Sequence, residues 1–130
     1  MILAIDPGKD KCGIVMMDEA GKVFFRKVVP RPALAGSILE LIASNAVACI
    51  VLGSGHFGKE VQEELKKRGI STKFAFVSEK DSTWQARKQY WRENQPKGWK
   101  RLIPTSFLSP PVPIDDYAAE IIGCRWLKLL

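Results

Sequence analysis

The chain opens with Ile2-Leu3-Ala4-Ile5, an unbroken apolar run that stops at Asp6. A run without polar alternation reads as a strand covered on both faces. Asp6-Pro7-Gly8 then turns the chain, as such triplets do. Cys12 to Met17 predicts a second strand, Asp18-Glu19-Ala20-Gly21 a hairpin turn, and Lys22 to Val29 a third strand. Within that strand Val23 and Phe25 alternate with Phe24 and Arg26, which predicts one solvated face. Pro30-Arg31-Pro32 breaks the alternation and opens a helix carrying Leu34, Ile38, Leu41 and Ile42 at helical spacing, ending near Ser44-Asn45. Ala48 to Leu52 predicts a buried strand that closes on Gly53-Ser54-Gly55. A charged amphipathic helix follows from Lys59 to Arg68, with Val61 and Leu65 inward and Gly69 just past its end. Lys73 to Val77 predicts the fifth strand, and Asp81 or Ser82 caps a helix through the Trp84 to Trp91 region. Pro96, Gly98, Pro104, Pro110, Pro111 and Pro113 interrupt the chain before a last helix, about Ile114 to Leu130, capped by Asp115 or Asp116. Its apolar positions Ala118, Ile121, Ile122 and Leu129 fall roughly on one face.

Antiparallel strands followed by strand–helix crossovers predict an α/β fold: a five-stranded mixed sheet, three antiparallel strands then parallel ones, with helices on both faces. No repeat, low-complexity tract or linker divides the sequence, so residues 1–130 are expected to form one domain. No stretch approaches the ~18 to 20 apolar residues of a membrane span, and the apolar start lacks the basic segment of a secretory signal. Cys12, Cys49 and Cys124 are odd in number and lack metal-binding spacing, so they read as reduced thiols in a cytoplasmic protein. The 20 Lys and Arg against 14 Asp and Glu give a formal charge of +6. That excess suits a polyanionic partner, and equally suits plain solubility.

The sheet would bring three acidic positions together. Asp6 ends the first strand, Glu79 lies just past the fifth, and Asp115 and Asp116 open the last helix. Carboxylates converging at one strand edge are what phosphodiester cleavage requires, where two divalent ions roughly 4 Å apart activate water and stabilise the leaving oxygen. Each also has a simpler reading: Asp6 as a turn residue, Glu79 as a solvated charge, and Asp115 or Asp116 as an N-cap.

Between Trp84 and Arg101 the chain carries Arg87, Lys88, Arg92, Lys97, Lys100 and Arg101 against the single acid Glu93, interleaved with Trp84, Tyr90, Trp91 and Trp99. Aromatic rings stack on unpaired bases while cations track phosphates. Trp84 and Trp91, seven apart on a helix, also read as one core-facing stripe, which leaves Trp99 as the stacking candidate. Lys9 and Lys11 add two cations beside Asp6. His56 follows Gly53-Ser54-Gly55 at the end of the fourth strand. It reads as a loop residue or as a general base, and the glycine turn as a source of backbone N–H groups for a phosphate.

Ile5-Asp6-Pro7-Gly8, with Gly13 five residues on, resembles the first-strand motif of RuvC-type Holliday junction resolvases and of YqgF-type pre-16S rRNA nucleases, both of the RNase H-like superfamily. Ser78-Glu79-Lys80-Asp81-Ser82-Thr83, followed by Ala86-Arg87, is similar to the acidic segment after the fifth strand in the YqgF type. Ile114-Asp115-Asp116-Tyr117-Ala118-Ala119, then Ile121-Ile122, resembles the last-helix pattern of the family. The resemblance covers the whole chain in order. It implies an RNase H-like fold, with Asp6, Glu79 and Asp115 as metal-binding carboxylates, Asp116 assisting catalysis, and Mg²⁺ or Mn²⁺ as cofactor. Two departures stand out. RuvC-type resolvases carry an acid at the end of the fourth strand, where this chain has Gly53-Ser54, and Asp10-Lys11 replaces the Lys-Arg usual in the YqgF motif.

The function expected is a metal-dependent endonuclease acting on branched DNA or precursor rRNA. The alternative is a nucleic-acid-binding protein that kept the fold without efficient catalysis. A lobe related to the actin and sugar-kinase ATPases would need a second lobe to close over ATP. The apolar terminus Trp126-Leu127-Lys128-Leu129-Leu130 reads either as a homodimer face or as core.

Overall fold

The computed structural model describes residues 1–80, 82–94 and 114–129, with the backbone alone for 82–84. The strands are β1 (Ile2–Asp6), β2 (Lys11–Met17), β3 (Val23–Pro30), β4 (Cys49–Gly53) and β5 (Phe74–Val77). The helices are α1 (Leu34–Ser44), α2 (Gly58–Lys67), α3 (Ser82–Glu93) and α4 (Asp115–Trp126), with a 3₁₀ turn at Arg31–Ala33 leading into α1.

The strands lie in the order β3-β2-β1-β4-β5. Short turns join β1 to β2 and β2 to β3, so these pairs are antiparallel. Helices carry the chain from β3 to β4 and from β4 to β5, so β4 runs parallel to β1, and β5 to β4. This is the expected five-stranded mixed sheet, three antiparallel strands then parallel ones, with helices on both faces. Period-two alternation divides the central strand: Leu3 and Ile5 face α1 and α2, whereas Ile2 and Ala4 face α4. On the first face Ile14, Ile50 and Leu52 meet Leu34, Ile38, Val61 and Leu65. On the second, Val15, Met17 and Val51 meet Ala119 and Ile122.

The ends of α2 and α4 share one device. Ile70 N–H reaches Leu65 O at 3.2 Å and Gly69 N–H reaches Lys66 O at 3.0 Å, the two reverse bonds of a Schellman stop. Gly69 stands there at φ 87°, which its missing Cβ permits. At α4 the same bonds run from Leu129 N–H to Cys124 O and from Lys128 N–H to Arg125 O, with Lys128 taking the left-handed position at φ 60°. A lysine there gives no stop signal in the sequence, and α4 consequently ends at Trp126, short of the expected Leu130. Leu129, expected on the buried face, lies beyond the helix and is 47% exposed. The expected cap at Asp115 or Asp116 is also corrected: Ile114 holds the N-cap position without a side-chain bond, and both acids stand in the first turn. There they still favour the positive end of the helix dipole. Among the described residues no helix is long and apolar enough to cross a membrane.

Candidate active site

Strand register brings the three acidic segments to one edge of the sheet. Asp6, the last residue of β1, pairs with Gly13 of β2. On its other side Ile5 pairs with Leu52, so Gly53 follows beside Asp6, and Gly53 pairs in turn with Val77 of β5. Glu79 lies two residues past Val77. Asp115, the first residue of α4, lies directly over Gly13: a Cβ there would stand 1.9 Å from the Asp115 carbonyl oxygen and 2.6 Å from the Asp116 nitrogen. Only glycine lets the start of α4 descend this far beside the end of β1.

Glycine serves Glu79 in the same way. A Cβ on Gly53 would meet the Glu79 carboxyl carbon at 2.7 Å, and one on Gly55 would meet its Oε1 at 2.3 Å. The Gly55 N–H donates to that oxygen at 2.7 Å. The Gly53-Ser54-Gly55 turn is thus a cradle for Glu79, and the Gly55 N–H considered for a phosphate is already taken up by a carboxylate. Sequence reading noted both glycines but missed this use, because nothing local announces a partner 24 residues away.

Charge reflects the convergence. The Asp6 carboxyl is pushed up to about 7, first by burial and then by the nearby charges of Glu79 and Asp115. Lys11 Nζ stands 3.5 Å from an Asp115 carboxylate oxygen. Among the described residues no three His, Cys, Asp or Glu side chains are close enough together to grip one ion. Glu79 and Asp115 both act on Asp6 through space, and the described residues form no closed ligand shell. Their chemistry suits a hard divalent cation: all donors are carboxylate oxygens, and a cation between them would oppose the burial and the repulsion that raise the Asp6 carboxyl.

Asp116 turns elsewhere. Its carboxylate lies 3.7 Å from Arg26 Nη1 on β3, and Glu120, one turn along α4, also pairs with Arg26. The guanidinium stands over the Tyr117 ring, 4.3 Å from its centroid. Burial raises the Asp116 carboxyl above its ordinary range while Arg26 opposes the rise. The structure therefore unites Asp6, Glu79 and Asp115 and leaves Asp116 outside that group. Arg26 is half-buried in this cluster.

Two arginines that sequence reading left aside brace the site. Arg31 donates to Gly8 O at 3.2 Å, holding the turn after Asp6, and pairs with Glu64 at 2.8 Å and Glu60 at 3.2 Å on α2. Arg125 on α4 donates to Ser78 O at 2.7 Å and to Gln85 Oε1 at 2.9 Å, fixing the residue before Glu79. Neither carries a motif; both are found only through the contacts they make.

Of the cations considered for nucleic acid, Lys9, Lys88 and Arg92 are exposed, and Lys11 lies beside Asp115. Arg87 is half-buried, with no hydrogen-bond partner for its Nε among the described residues. Among the described side chains of α3, Ala86 and Tyr90 are buried and Trp91 is half-buried. Tyr90 meets Trp91 and Tyr117 edge-on at 5.0 and 5.7 Å. The Trp84 side chain, Lys97, Trp99, Lys100 and Arg101 lie outside the described residues. His56 is exposed, edge-on to Phe57 at 5.2 Å.

Fold and site together define a mixed five-stranded α/β sheet with carboxylates gathered at the end of its first strand. No family model matches the chain, and no curated protein matches it. Among solved structures it is similar to RuvC of Thermus thermophilus, with 11% identity over 98% of this chain and 95% of that one and a TM-score of 0.47.

Proposed function

We propose that the chain is a metal-dependent endonuclease that hydrolyses phosphodiester bonds in structured nucleic acid, Holliday junction-like DNA or precursor rRNA, with residues 1–130 forming one YqgF- or RuvC-type nuclease domain. The observation that carries this reading is the Asp6 carboxyl, half-buried at a strand end beside Glu79 and Asp115 and pushed up to about 7 by that burial and by their charges. Clustered, perturbed carboxylates mark sites built for a cation or a proton. Asp6, Glu79 and Asp115 would hold Mg²⁺ or Mn²⁺, which when bound supplies a water of lowered pKa and charge stabilisation at the phosphate. The chain supplies the placement. Asp6 is fixed by strand pairing, Glu79 by the Gly55 N–H, and Asp115 by the close approach over Gly13. Lys9 and Lys11 would meet phosphates at this edge, and Arg87, Lys88 and Arg92 on α3, with Lys97, Trp99, Lys100 and Arg101 after it, would extend the track. The setting that goes with this reading is the cytoplasm.

The test is cleavage of a four-way DNA junction, linear duplex, single-stranded DNA and structured RNA with Mg²⁺ and Mn²⁺, beside Asp6→Asn. Cleavage by wild type and its loss in a folded Asp6→Asn protein is the expected result. The open ligand arrangement and the Lys11–Asp115 pair favour one other reading, a binding protein without catalysis. Retained binding with no cleavage in either metal would establish that reading instead.

A further inference from the structure

The ion cluster around Arg26 lies outside the three carboxylates, on the β3 side of α4. Its side chains are largely withdrawn from water: Arg26 is 24% exposed, Asp116 13% and Glu120 14%. Asp116 and Glu120 stand four residues apart and so share one helix face. Asp115 is rotated from them by roughly 100°, toward Lys11 and the end of β1. Two neighbouring acids thus face different ways, one into a clamp and one into the candidate site.

Adhesion of α4 to the sheet does not need this clamp. Ala119 and Ile122 already bury an apolar stripe on Val15, Met17 and Val51, and Gly123 fits closely against Met17 and Ala4. Burying charges costs more than burying hydrocarbon of the same volume. Here Arg26 Nη1 and Asp116 Oδ1 have no hydrogen-bond partner among the described residues. A face of alanine and glycine, however, grips weakly against rotation and sliding. A guanidinium planted on β3, with an acid on either side and the Tyr117 ring beneath, fixes both.

We propose that Arg26 is a positioning residue: by gripping Asp116 and Glu120 it sets the rotation of the first turn of α4 and so holds the Asp115 carboxylate beside Asp6. The proposal rests on the assignment of Asp115 to the metal-binding carboxylates. Its signature is weaker metal affinity at full occupancy of the folded state, since the ligand set remains but one member is misdirected.

The experiment measures stabilisation of the full chain by Mn²⁺, as the shift in melting temperature over a titration, for wild type, Arg26→Met, Arg26→Lys and Asp6→Asn. Referring each variant to its own metal-free melting temperature removes any general loss of stability. Arg26→Met is expected to raise the Mn²⁺ midpoint by roughly 10-fold, about 1.4 kcal/mol. Arg26→Lys, which keeps the charge without the fork, should recover part of it. Asp6→Asn should abolish the response. In cleavage, Arg26→Met should raise the half-saturating Mg²⁺ concentration more than it lowers the saturated rate. An unchanged midpoint in folded Arg26→Met, with the response lost in Asp6→Asn, overturns the positioning role alone. A response as strong in Asp6→Asn as in wild type, or none in wild type, removes the carboxylate site and the positioning role with it. Should Arg26→Met fail to fold, Asp116→Asn with Glu120→Gln releases the same grip and must raise the midpoint; an unchanged midpoint there is equally fatal.

Discussion

The two faces of the sheet are built on different principles. Against α1 and α2 the strands present Leu3, Ile5, Ile14, Ile50 and Leu52, and the helices answer with Leu34, Ile38, Val61 and Leu65, all essentially without exposure. Large aliphatics interlock there, and the face carries none of the gathered carboxylates. Against α4 the contacts are Ala119, Ile122 and glycines at both ends, Gly13 under Asp115 and Gly123 over Met17, with a half-buried ion cluster along one flank. Close approach of backbone replaces bulk. The first face supplies adhesion, and the second sets where side chains at the strand edge come to lie.

If that division is real, the largest loss of stability should come from the aliphatic face and leave the site untouched. Leu65 on α2 is fully buried. Leu65→Ala should cost about 2 to 5 kcal/mol of unfolding free energy, from lost transfer energy and the cavity left behind. Urea unfolding measures it. The Mn²⁺-induced rise in melting temperature, referred to the variant's own baseline, should match wild type; a lost response would show that the two faces are not separable.

Asp6 gives an effect of the opposite sign. In the unfolded chain its carboxyl ionises near its ordinary 3.8, in the folded protein only near 7. Between those values the folded state holds a proton that the unfolded state has released. Stability without metal therefore falls as pH rises through this window and levels off above about 7. At about 1.36 kcal/mol per pKa unit the decrease amounts to as much as about 4 kcal/mol. Asp6→Asn removes the penalty and should be the more stable protein at pH 8 in EDTA, although it loses the proposed activity. The same pH slope in Asp6→Asn would mean that other groups carry it.

The aliphatic face was the legible one. Apolar runs at Ile2–Ile5 and Ala48–Leu52, and helical spacing from Leu34 to Ile42, predict its elements to within a residue or two, because burial there is written in residue size. Gly69 likewise announced its helix stop. The site was legible as a set of acids but not as a geometry. Asp6, Glu79 and Asp115 could be named, and the resemblance already set Asp115 ahead of Asp116, whereas the pairing of Asp116 with Arg26, some 90 residues earlier, could not be read. The roles of Gly13, Gly53 and Gly55 depend on what lies above them, and a glycine in sequence does not say what approaches it. Lys128 ended α4 from a left-handed position that sequence gives no reason to assign to lysine.

The smallest effects should separate the faces most clearly, through one substitution made twice. Gly36, in α1, has nothing within 4 Å of where a Cβ would stand. Gly36→Ala should stabilise the protein by about 0.5 to 1 kcal/mol, the gain of alanine over glycine inside a helix. Gly13→Ala adds the same methyl group where a Cβ would sit 1.9 Å from the Asp115 carbonyl oxygen. Backbone must move, and because β2 is fixed on both sides by β1 and β3, the yielding partner is the first turn of α4. Overpacking of this kind costs about 1 to 3 kcal/mol. The more telling consequence is that Asp115 is lifted away from Asp6, so the Mn²⁺ midpoint should rise in Gly13→Ala and stay unchanged in Gly36→Ala. A Gly13→Ala protein that loses stability but binds Mn²⁺ as wild type does would mean that α4 is held to the sheet without being aimed, and that the placement of Asp115 owes nothing to the close approach beneath it.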